Sequence, residues 1–252
     1  MAEAIRQIQE TGCRVSLDLL GEITLSHTEA DRYQSAYLEL LDRLPETQAQ
    51  EVQCSIKVSS LCPRIDGLNL AGNLAEVLRR IRPILLKARD KGFGIALDME
   101  DYEKKPLILE AFRTLLFDED FREWQGIGLA LQSYLTTAAE DVEQIISLSR
   151  QRETPFHVRW VRGAYWDQEM IIAGQRQWPS PVWDNQAETD LAYEQGLEAL
   201  LSAQPAIQLN LATHNPRSLA LAMARLEQRG IEKEQIEFQM LYGMAPHYQQ
   251  AL

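Results

Sequence analysis

A chain of 252 residues with 45% hydrophobic and 25% charged residues can bury a substantial core, and we expect one barrel-sized domain over residues 1–252 rather than two small domains. The formal net charge of −12 argues against nucleic acid as a partner and against a generally basic, membrane-binding surface. The three cysteines lack CxxC spacing, so they predict neither disulfides nor a metal site, and a reducing cytoplasm is the simplest location. No run of about 18 apolar residues occurs and the first residues contain no signal-peptide core, which predicts a soluble protein that is not exported.

In chain order, short apolar runs alternate with longer amphipathic patterns. The apolar runs predict strands at 13–19, 52–58, 93–98, 127–131, 156–161, 207–212 and 235–241. The amphipathic patterns predict helices at 28–44, 72–91, 104–117, 137–151, 186–203 and 216–229, with a long ordered loop at 176–183. Seven βα units imply parallel strands joined by right-handed crossovers, either in a doubly wound sheet or in a barrel.

The distribution of polar motifs favours the barrel. A doubly wound dinucleotide-binding fold would concentrate a GxGxxG pattern at its first turn, and the sequence contains neither this pattern nor a P-loop. The polar motifs instead follow successive predicted strands along the chain, and barrels place their chemistry at the carboxyl ends of strands. We therefore expect an α/β fold of the (βα)8 TIM-barrel type, incomplete at about seven βα units.

The stretch H-V-R-W-V-R-G-A-Y-W-D at 157–167 combines a predicted strand with a sharp break at Gly163. Alternation would place Arg159 and Val161 on one face, which is the interior face if the strand belongs to a closed barrel. An arginine there needs a buried anion or a polar cofactor to offset its desolvation. A strand end with a structural ion pair is the alternative interpretation.

Six motifs follow predicted strands in a characteristic order: D-L-L-G-E at 18–22, S-I-K-V-S at 55–59, L-D-M-E at 97–100, V-R-W-V-R-G-A-Y-W at 158–166, A-T-H-N at 212–215 and E-F-Q-M-L-Y-G-M at 237–244. From about residue 13 to about residue 245 they resemble the proline dehydrogenase family, in particular the proline dehydrogenase domain of bifunctional proline utilization A flavoenzymes. The resemblance implies FAD-dependent oxidation of L-proline to 1-pyrroline-5-carboxylate, with electrons passed to a quinone. It also implies peripheral contact with the inner face of the membrane and, in a longer polypeptide, an aldehyde dehydrogenase domain.

The resemblance also implies roles for strand-end residues. Asp98 and Arg159 match catalytic positions, and Lys57 matches a lysine that helps to bind the substrate carboxylate. Tyr165 and Leu241 match apolar walls around the substrate ring. The expected FAD ligands are Met99, Gln132, Arg159, Val161, Arg162, Gly163, Ala164, Trp166, Thr213, His214 and Asn215. A pair between Lys57 and Asp98 could equally be a structural ion pair, and the two apolar walls could be ordinary core.

The reaction that the resemblance implies points in turn to a flavin. Oxidation of a saturated C–N bond removes a hydride, and no side chain accepts two electrons, so a flavin or a nicotinamide is required. The missing nucleotide fingerprint favours a flavin, whose negative charge on reduction would be stabilised by Arg159. Gln132 could donate to and accept from ring atoms. Exposed amides at 213–215, ahead of Pro216, would suit a phosphate, although these residues could form only a helix cap.

Departures from the family pattern leave a second function open. Arg162 replaces the usual lysine, and residues 183–186 replace a Thr/Arg/Lys-type stretch that contacts the phosphates or adenosine of the flavin. Asp184 in that stretch would repel a pyrophosphate. The family pattern continues with an eighth strand and a final helix, and two adjacent arginines of that helix hold the substrate carboxylate. Glu22 matches a glutamate of the family that pairs with an arginine of the final helix and so closes the site as a gate. The chain thus resembles a truncated barrel with low activity on its own, and the alternative function is a non-catalytic remnant or interaction domain.

Overall fold

The computed structural model describes residues 2–21, 23–44, 52–63, 65 and 68–252, which divide into two compact units, Met1–Leu129 and Ala130–Leu252. The described strands are β1 Val15–Asp18, β2 Val52–Ile56, β3 Gly94–Leu97, β4 Ile127–Gln132, β5 Phe156–Val161, β6 Ile207–Ala212 and β7 Glu237–Gln239. The described α-helices are α1 Ala2–Gln9, α2 His27–Arg43, α3 Leu70–Lys91, α4 Lys105–Leu116, α5 Ala138–Gln151, α6 Trp166–Arg176, α7 Gln186–Ser202, α8 Pro216–Arg229 and α9 Pro246–Ala251. Within each unit the strands follow one another in sequence order. The single domain over residues 1–252 stays a prediction.

All seven predicted strands and six predicted helices are present, and β5, β6 and α8 have the predicted bounds. Strand β2 ends at Ile56, two residues earlier than predicted. The reason is a short 3-10 helix at Val58–Ser60, in which the Ser60 N–H donates to the Lys57 carbonyl at 3.1 Å. Lys57 therefore lies immediately after the strand. The helices that we did not predict are α1 and α6, and α9 lies where the seventh βα unit requires a helix.

The predicted loop at 176–183 starts at the last residue of α6, which ends because Gln177 adopts a left-handed conformation with φ 54°. Its later part pairs with the segment after β4. The Thr136 N–H donates to the Pro181 carbonyl at 2.9 Å, and the Trp183 N–H donates to the Tyr134 carbonyl at 2.9 Å. These bonds explain why a stretch with two prolines is ordered.

In the first unit, β1, β2 and β3 pair in parallel register, and β3 continues the pairing to the start of β4. Helices α2 and α3 are joined by Arg80, whose side chain is fully buried. Its Nε donates to Asp31 Oδ1 at 2.8 Å, and its Nη1 bonds Glu76 and the Leu61 carbonyl. Burial of this arginine is possible because carboxylates and a carbonyl oxygen satisfy its donors.

In the second unit, β5, β6 and β7 are parallel neighbours, and the residues of β5 alternate between buried and half-buried. On the buried face, the Trp160 ring stacks on Tyr193 of α7 with centroids 5.7 Å apart, and its Nε1 donates to the Tyr193 carbonyl at 2.9 Å. Gly196 permits this approach, since a Cβ there would lie 2.2 Å from the Trp160 ring. Helix α7 thus covers one face of β5 and leaves Arg159 on the opposite face.

Candidate functional site

Three charged side chains meet at the carboxyl ends of neighbouring strands in the first unit. Asp18 ends β1, Lys57 follows β2 and Asp98 follows β3. Lys57 Nζ lies 2.8 Å from both carboxylate oxygens of Asp18 and 3.6 Å from Asp98 Oδ2. The side chains of Lys57 and Asp98 are 20% and 19% exposed, and that of Asp18 is 45% exposed. Two carboxylates therefore lie beside one ammonium, which gives the three groups a formal net charge of about −1.

We predicted the approach of Lys57 to Asp98 but not the shorter contact with Asp18. The sequence did contain a signal, because Asp18 opens the D-L-L-G-E motif at the end of a predicted strand. Neighbouring parallel strands bring residues at their carboxyl ends to the same edge of a sheet, which places this aspartate beside Lys57. Glu22 of the same motif lies outside the described residues.

Glu100 is a second carboxylate that we did not predict to matter. It is buried and accepts a hydrogen bond from the Ser59 N–H at 2.9 Å, and burial raises its pKa above the ordinary value. The bond joins the turn after Lys57 to the segment after Asp98, so it holds the loops that carry both charges. Met99, between Asp98 and Glu100, is also buried.

Arg159 lies in a row of polar side chains that crosses from β5 to β7 in the second unit. Its Nε donates to Gln239 Oε1 at 2.7 Å, and Gln239 Nε2 donates to Glu237 Oε1 at 2.5 Å. Asn210 of β6 pairs with Arg159 in the register, and Asn210 Oδ1 lies 3.4 Å from His157 Nδ1. The predicted inward arginine is thus placed among polar groups, and Gln239 is a partner that the sequence did not reveal.

Gln132 and Gly163 lie at the ends of β4 and β5. Gln132 is buried at the last position of its strand. Gly163 has φ 126°, and a Cβ there would lie 2.4 Å from the Tyr134 ring. The Tyr134 N–H donates to the Arg162 carbonyl at 2.8 Å, which holds the tyrosine in this place. The Tyr134 ring therefore explains the glycine, and contact of Gly163 with FAD stays a prediction.

We predicted that Arg162 binds the cofactor. In the structure its guanidinium contacts side chains of the protein. Nε and Nη2 each lie 2.8 Å from Asp190 Oδ1. Nη1 donates to Thr213 Oγ1 at 2.7 Å, and Nη2 donates to Ser218 Oγ at 2.8 Å. The guanidinium carbon also lies 4.4 Å from the Tyr193 ring centroid. Arg162 therefore connects the end of β5 with α7, with the end of β6 and with α8.

In the turn at 213–215, the side chains of Thr213 and Asn215 accept hydrogen bonds from nearby backbone N–H groups. Asn215 Oδ1 accepts from the N–H groups of Arg217 at 2.9 Å and of Ser218 at 3.3 Å, so Asn215 caps α8. The Asn215 N–H donates to Thr213 Oγ1 at 3.1 Å. The amides of Asn215, Arg217 and Ser218 are thus satisfied within the protein, as in the helix-cap alternative, and phosphate binding at 213–215 stays a prediction.

The same turn presents donors from two side chains. His214 Nε2 accepts from the Leu241 N–H at 3.1 Å, which places the hydrogen of the neutral ring on Nδ1. Nδ1 is buried and has no hydrogen-bond partner among the residues that the structure describes. Thr213 Oγ1 accepts from both Arg162 and Asn215, so its hydroxyl can only donate further. A ligand atom at either group would have to be an acceptor.

The remaining predicted site residues lie at or beyond the ends of β5 and β7. Val161 and Tyr165 are half-buried, and Ala164, Trp166 and Leu241 are exposed. Trp166 begins α6, and its Nε1 donates to the Trp183 carbonyl at 2.7 Å. Leu241 is 67% exposed, so among the described residues it is not ordinary core.

Residues 183–186 lead into α7, which begins at Gln186. Asn185 is its N-cap, and its Oδ1 accepts from the Glu188 N–H at 3.0 Å. Asp184 is exposed directly before this cap. The departure from the family pattern thus has a local structural role, since Asn is a favoured N-cap residue.

The proline dehydrogenase family model matches residues 1–252. The chain belongs to the proline dehydrogenase family. It is 30% identical over 262 residues to the bifunctional protein PutA of Klebsiella aerogenes, covering 100% of this chain and 20% of that protein. It is 27% identical over 251 residues to proline dehydrogenase 1 of Bacillus subtilis, covering 99% of this chain and 72% of that protein.

Among solved structures, proline utilization A from Bdellovibrio bacteriovorus aligns with a TM-score of 0.92 and 36% identity, over 97% of this chain and 27% of that one. This likeness confirms the predicted fold class, an α/β barrel of the proline dehydrogenase kind with seven parallel strands. The chain spans about a fifth of the length of the PutA proteins that it matches. None of the helices in the described part of this proline dehydrogenase family member is long and apolar enough to cross a membrane.

Proposed function

We propose that this chain carries the active site of an FAD-dependent proline dehydrogenase, which oxidises L-proline to 1-pyrroline-5-carboxylate and passes the electrons to a quinone. The observation that supports the proposal most is the cluster of Lys57, Asp18 and Asp98 at strand ends, in a chain that matches the family over its whole length. When bound, FAD supplies the two-electron acceptor that no side chain offers.

Lys57 is the proposed ligand of the proline carboxylate. Its ammonium offers three donors, and ion pairs with Asp18 and Asp98 hold it in position. The negative charge that remains on the cluster suits the secondary ammonium of proline. Tyr165 and Leu241 are the proposed apolar contacts of the substrate ring.

The second unit contains groups that suit a flavin. The Nδ1–H of His214 and the hydroxyl of Thr213 can only donate, which fits ring carbonyl or phosphate oxygens. Arg159 supplies a permanent positive charge that stabilises the electron density gained on reduction. The other proposed ligands are Met99, Gln132, Val161, Gly163, Ala164, Trp166 and Asn215, and Glu22 is the proposed gate. Loss of a hydride from carbon and of a proton from nitrogen then converts the C–N bond of proline into C=N.

The setting of the reaction is proposed from the same resemblance. The chain would act in the cytoplasm, in peripheral contact with the inner face of the membrane that holds the quinone. The relatives named bifunctional PutA are about five times as long as the matched region, which favours a longer polypeptide that also carries an aldehyde dehydrogenase domain.

A non-catalytic remnant or interaction domain is the second candidate. The acidic residue Asp184, exposed ahead of the Asn185 cap, favours it. An acidic group beside a pyrophosphate would weaken FAD binding by charge repulsion.

Flavin retention and reduction by proline test the two candidates. We expect purified residues 1–252, mixed with FAD and then freed of unbound flavin, to stay yellow and to lose the oxidised flavin absorbance when L-proline is added anaerobically at high concentration. D-proline should have no such effect. A colourless protein after this treatment would favour the non-catalytic candidate.

Variants of two lysines separate substrate binding from general charge effects. Lys57→Met should retain FAD but lose reduction by L-proline, because the proposed carboxylate ligand is gone. Lys87→Met is the matched control, since Lys87 pairs with Asp42 between helices at 2.5 Å. Equal rates of flavin reduction in both variants would contradict the role of Lys57.

A further inference from the structure

Asp190 and Ser218, neither of which the sequence singled out, complete a network around Arg162 in the second unit. Asp190 Oδ1 accepts from Arg162 Nε at 2.8 Å, lies 2.8 Å from Nη2 of the same guanidinium, and accepts from Gln186 Nε2 at 3.1 Å. Ser218 Oγ accepts from Nη2 at 2.8 Å. The Arg162 and Asp190 side chains are 19% and 27% exposed, so solvent screens this pair only in part.

The fixed guanidinium determines what the Thr213 hydroxyl can do. Arg162 Nη1 donates to Thr213 Oγ1 at 2.7 Å, and the Asn215 N–H donates to the same oxygen at 3.1 Å. A hydroxyl oxygen has two acceptor positions, so both are filled and only the hydrogen remains. The Tyr193 phenol also hydrogen-bonds Thr213, and its oxygen is the protein acceptor with which a ligand would compete.

We propose that the Asp190–Arg162 pair is a positioning device that makes the Thr213 hydroxyl an obligate donor toward an acceptor atom of the flavin. The proposal rests on the FAD-dependent function proposed above. Arg162 then acts through Thr213, as a positioning residue and not as a cofactor ligand, and Asp190 acts by orienting Arg162. This explains why every nitrogen of Arg162 has a protein partner.

The same contacts would also be explained if Arg162 only stabilised the packing of α7 against α8. The chain contains a second ion pair between these helices that serves as a matched control. Arg217 in the first turn of α8 donates from Nε to Glu194 Oε1 of α7 at 2.7 Å. This pair joins the same two helices, one helical turn from Asp190, and has no described contact with the Thr213 side chain. Removal of the Arg217 side chain therefore breaks an ion pair between the helices and leaves the hydrogen bonds to Thr213 Oγ1 intact.

A double-mutant cycle on FAD affinity distinguishes the two explanations. We expect Arg162→Met and Thr213→Val each to weaken FAD binding about tenfold, the size of one hydrogen bond, and the double variant to be no weaker than either single variant. Arg162→Lys should restore most of the affinity, because an ammonium can still donate to Thr213. Arg217→Met should change affinity by less than about twofold and should add to Thr213→Val.

Amide hydrogen exchange of the flavin-free chain supplies a readout that needs no cofactor. Since the Asn215 N–H is bonded to Thr213 Oγ1, Arg162→Met should speed exchange at Asn215, whereas Arg217→Met should not. Additive losses of affinity for Arg162→Met and Thr213→Val, or equal exchange in the Arg162 and Arg217 variants, would overturn the positioning role. If the unaltered chain binds no FAD, the proposed function fails. The exchange rates at Asn215 in the Arg162→Met and Arg217→Met variants then still show whether Arg162 positions the Thr213 hydroxyl.

Discussion

Among single residues, Arg159 is the one on which the proposed redox chemistry depends most. Replacement by Met keeps the length of the side chain but removes its charge and the donor to Gln239. We expect the midpoint potential of bound flavin to fall. We also expect reduction by L-proline to become slower, because the activation free energy should rise by roughly 2–4 kcal/mol, as for loss of one preorganised donor. Potentiometry and anaerobic rapid mixing measure the two effects.

Gln239→Leu is the control for this change, since it removes the acceptor of Arg159 Nε and leaves the positive charge. Its effect on the flavin potential should be the smaller of the two. An unchanged potential in Arg159→Met would show that this arginine has only a structural role.

Gly163 allows a prediction about stability. Its φ of 126° is unfavourable for other residues, and a Cβ would lie 2.4 Å from the Tyr134 ring, so Gly163→Ala should lower the free energy of unfolding by roughly 2–3 kcal/mol. Gly174 in α6 has open space around its Cα, so Gly174→Ala should raise that free energy by about 0.5–1 kcal/mol. Urea unfolding of both variants measures the changes, and shifts of the same sign would contradict the explanation.

The identity of site residues was more predictable than their contacts. Lys57 was predicted at a strand end from the order of the motifs, and it lies directly after β2, whereas Arg159 lies within β5, two residues before its end. The contacts of Arg162 with Asp190, Thr213 and Ser218 join residues 28 to 56 positions apart in the chain. Periodicity reports the face on which a residue lies but not its distant partner, so these contacts could not be read from one sequence.

At the scale of elements, the strands were more predictable than the short helices. The apolar residues of β5 alternate with polar ones, and this pattern gave its bounds correctly. Helix α6 was missed because its sequence is weakly amphipathic and begins within the aromatic motif, which we interpreted as a site. Helix α1 is short, and Ile5 is its described buried residue, so its burial depends on tertiary contacts.

The contact between α2 and α3 should make stability depend on pH. Hydrogen bonds from Arg79 and Arg80 lower the pKa of Glu76 to about 2 from its ordinary value of 4.5, against the opposing effect of burial. Because the folded-state pKa lies below the unfolded one, the stabilisation is complete above about pH 5 and is lost as pH falls toward 2. Glu76→Gln should therefore flatten the dependence of the free energy of unfolding on pH between about 5 and 2.

Glu110→Gln is the matched control for this change. Glu110 also pairs with an arginine, Arg113, but the pair lies within α4 and is more exposed. At neutral pH, Glu76→Gln should cost about 1–3 kcal/mol, because Arg80 is fully buried and loses a charged partner, whereas Glu110→Gln should cost less than about 0.5 kcal/mol. Equal costs in urea unfolding would show that the α2–α3 contact does not depend on this network.

At the scale of the whole molecule, the charges around Lys57 affect how well residues 1–252 alone can carry out the proposed oxidation of proline. Asp18 holds Lys57 through both carboxylate oxygens at 2.8 Å, so a substrate carboxylate would compete with it for the same ammonium. The family pattern adds two adjacent arginines on a final helix, which grip a carboxylate bidentately, whereas a lysine acts as a point charge. The chain spans 72% of the Bacillus subtilis proline dehydrogenase that it matches.

We therefore expect residues 1–252 alone to have a KM for L-proline at least about 30-fold higher than the same chain extended by the eighth strand and final helix of the family pattern. The reason is that loss of a carboxylate partner in such a site costs about 2 kcal/mol or more. Turnover should also be slower, since a loosely held substrate seldom presents its C–N bond in a reactive geometry. Steady-state oxidation with an artificial quinone measures both values. Equal KM and turnover in the two proteins would mean that residues within 1–252 already hold the carboxylate, and that the competition between Asp18 and the substrate for Lys57 is not limiting.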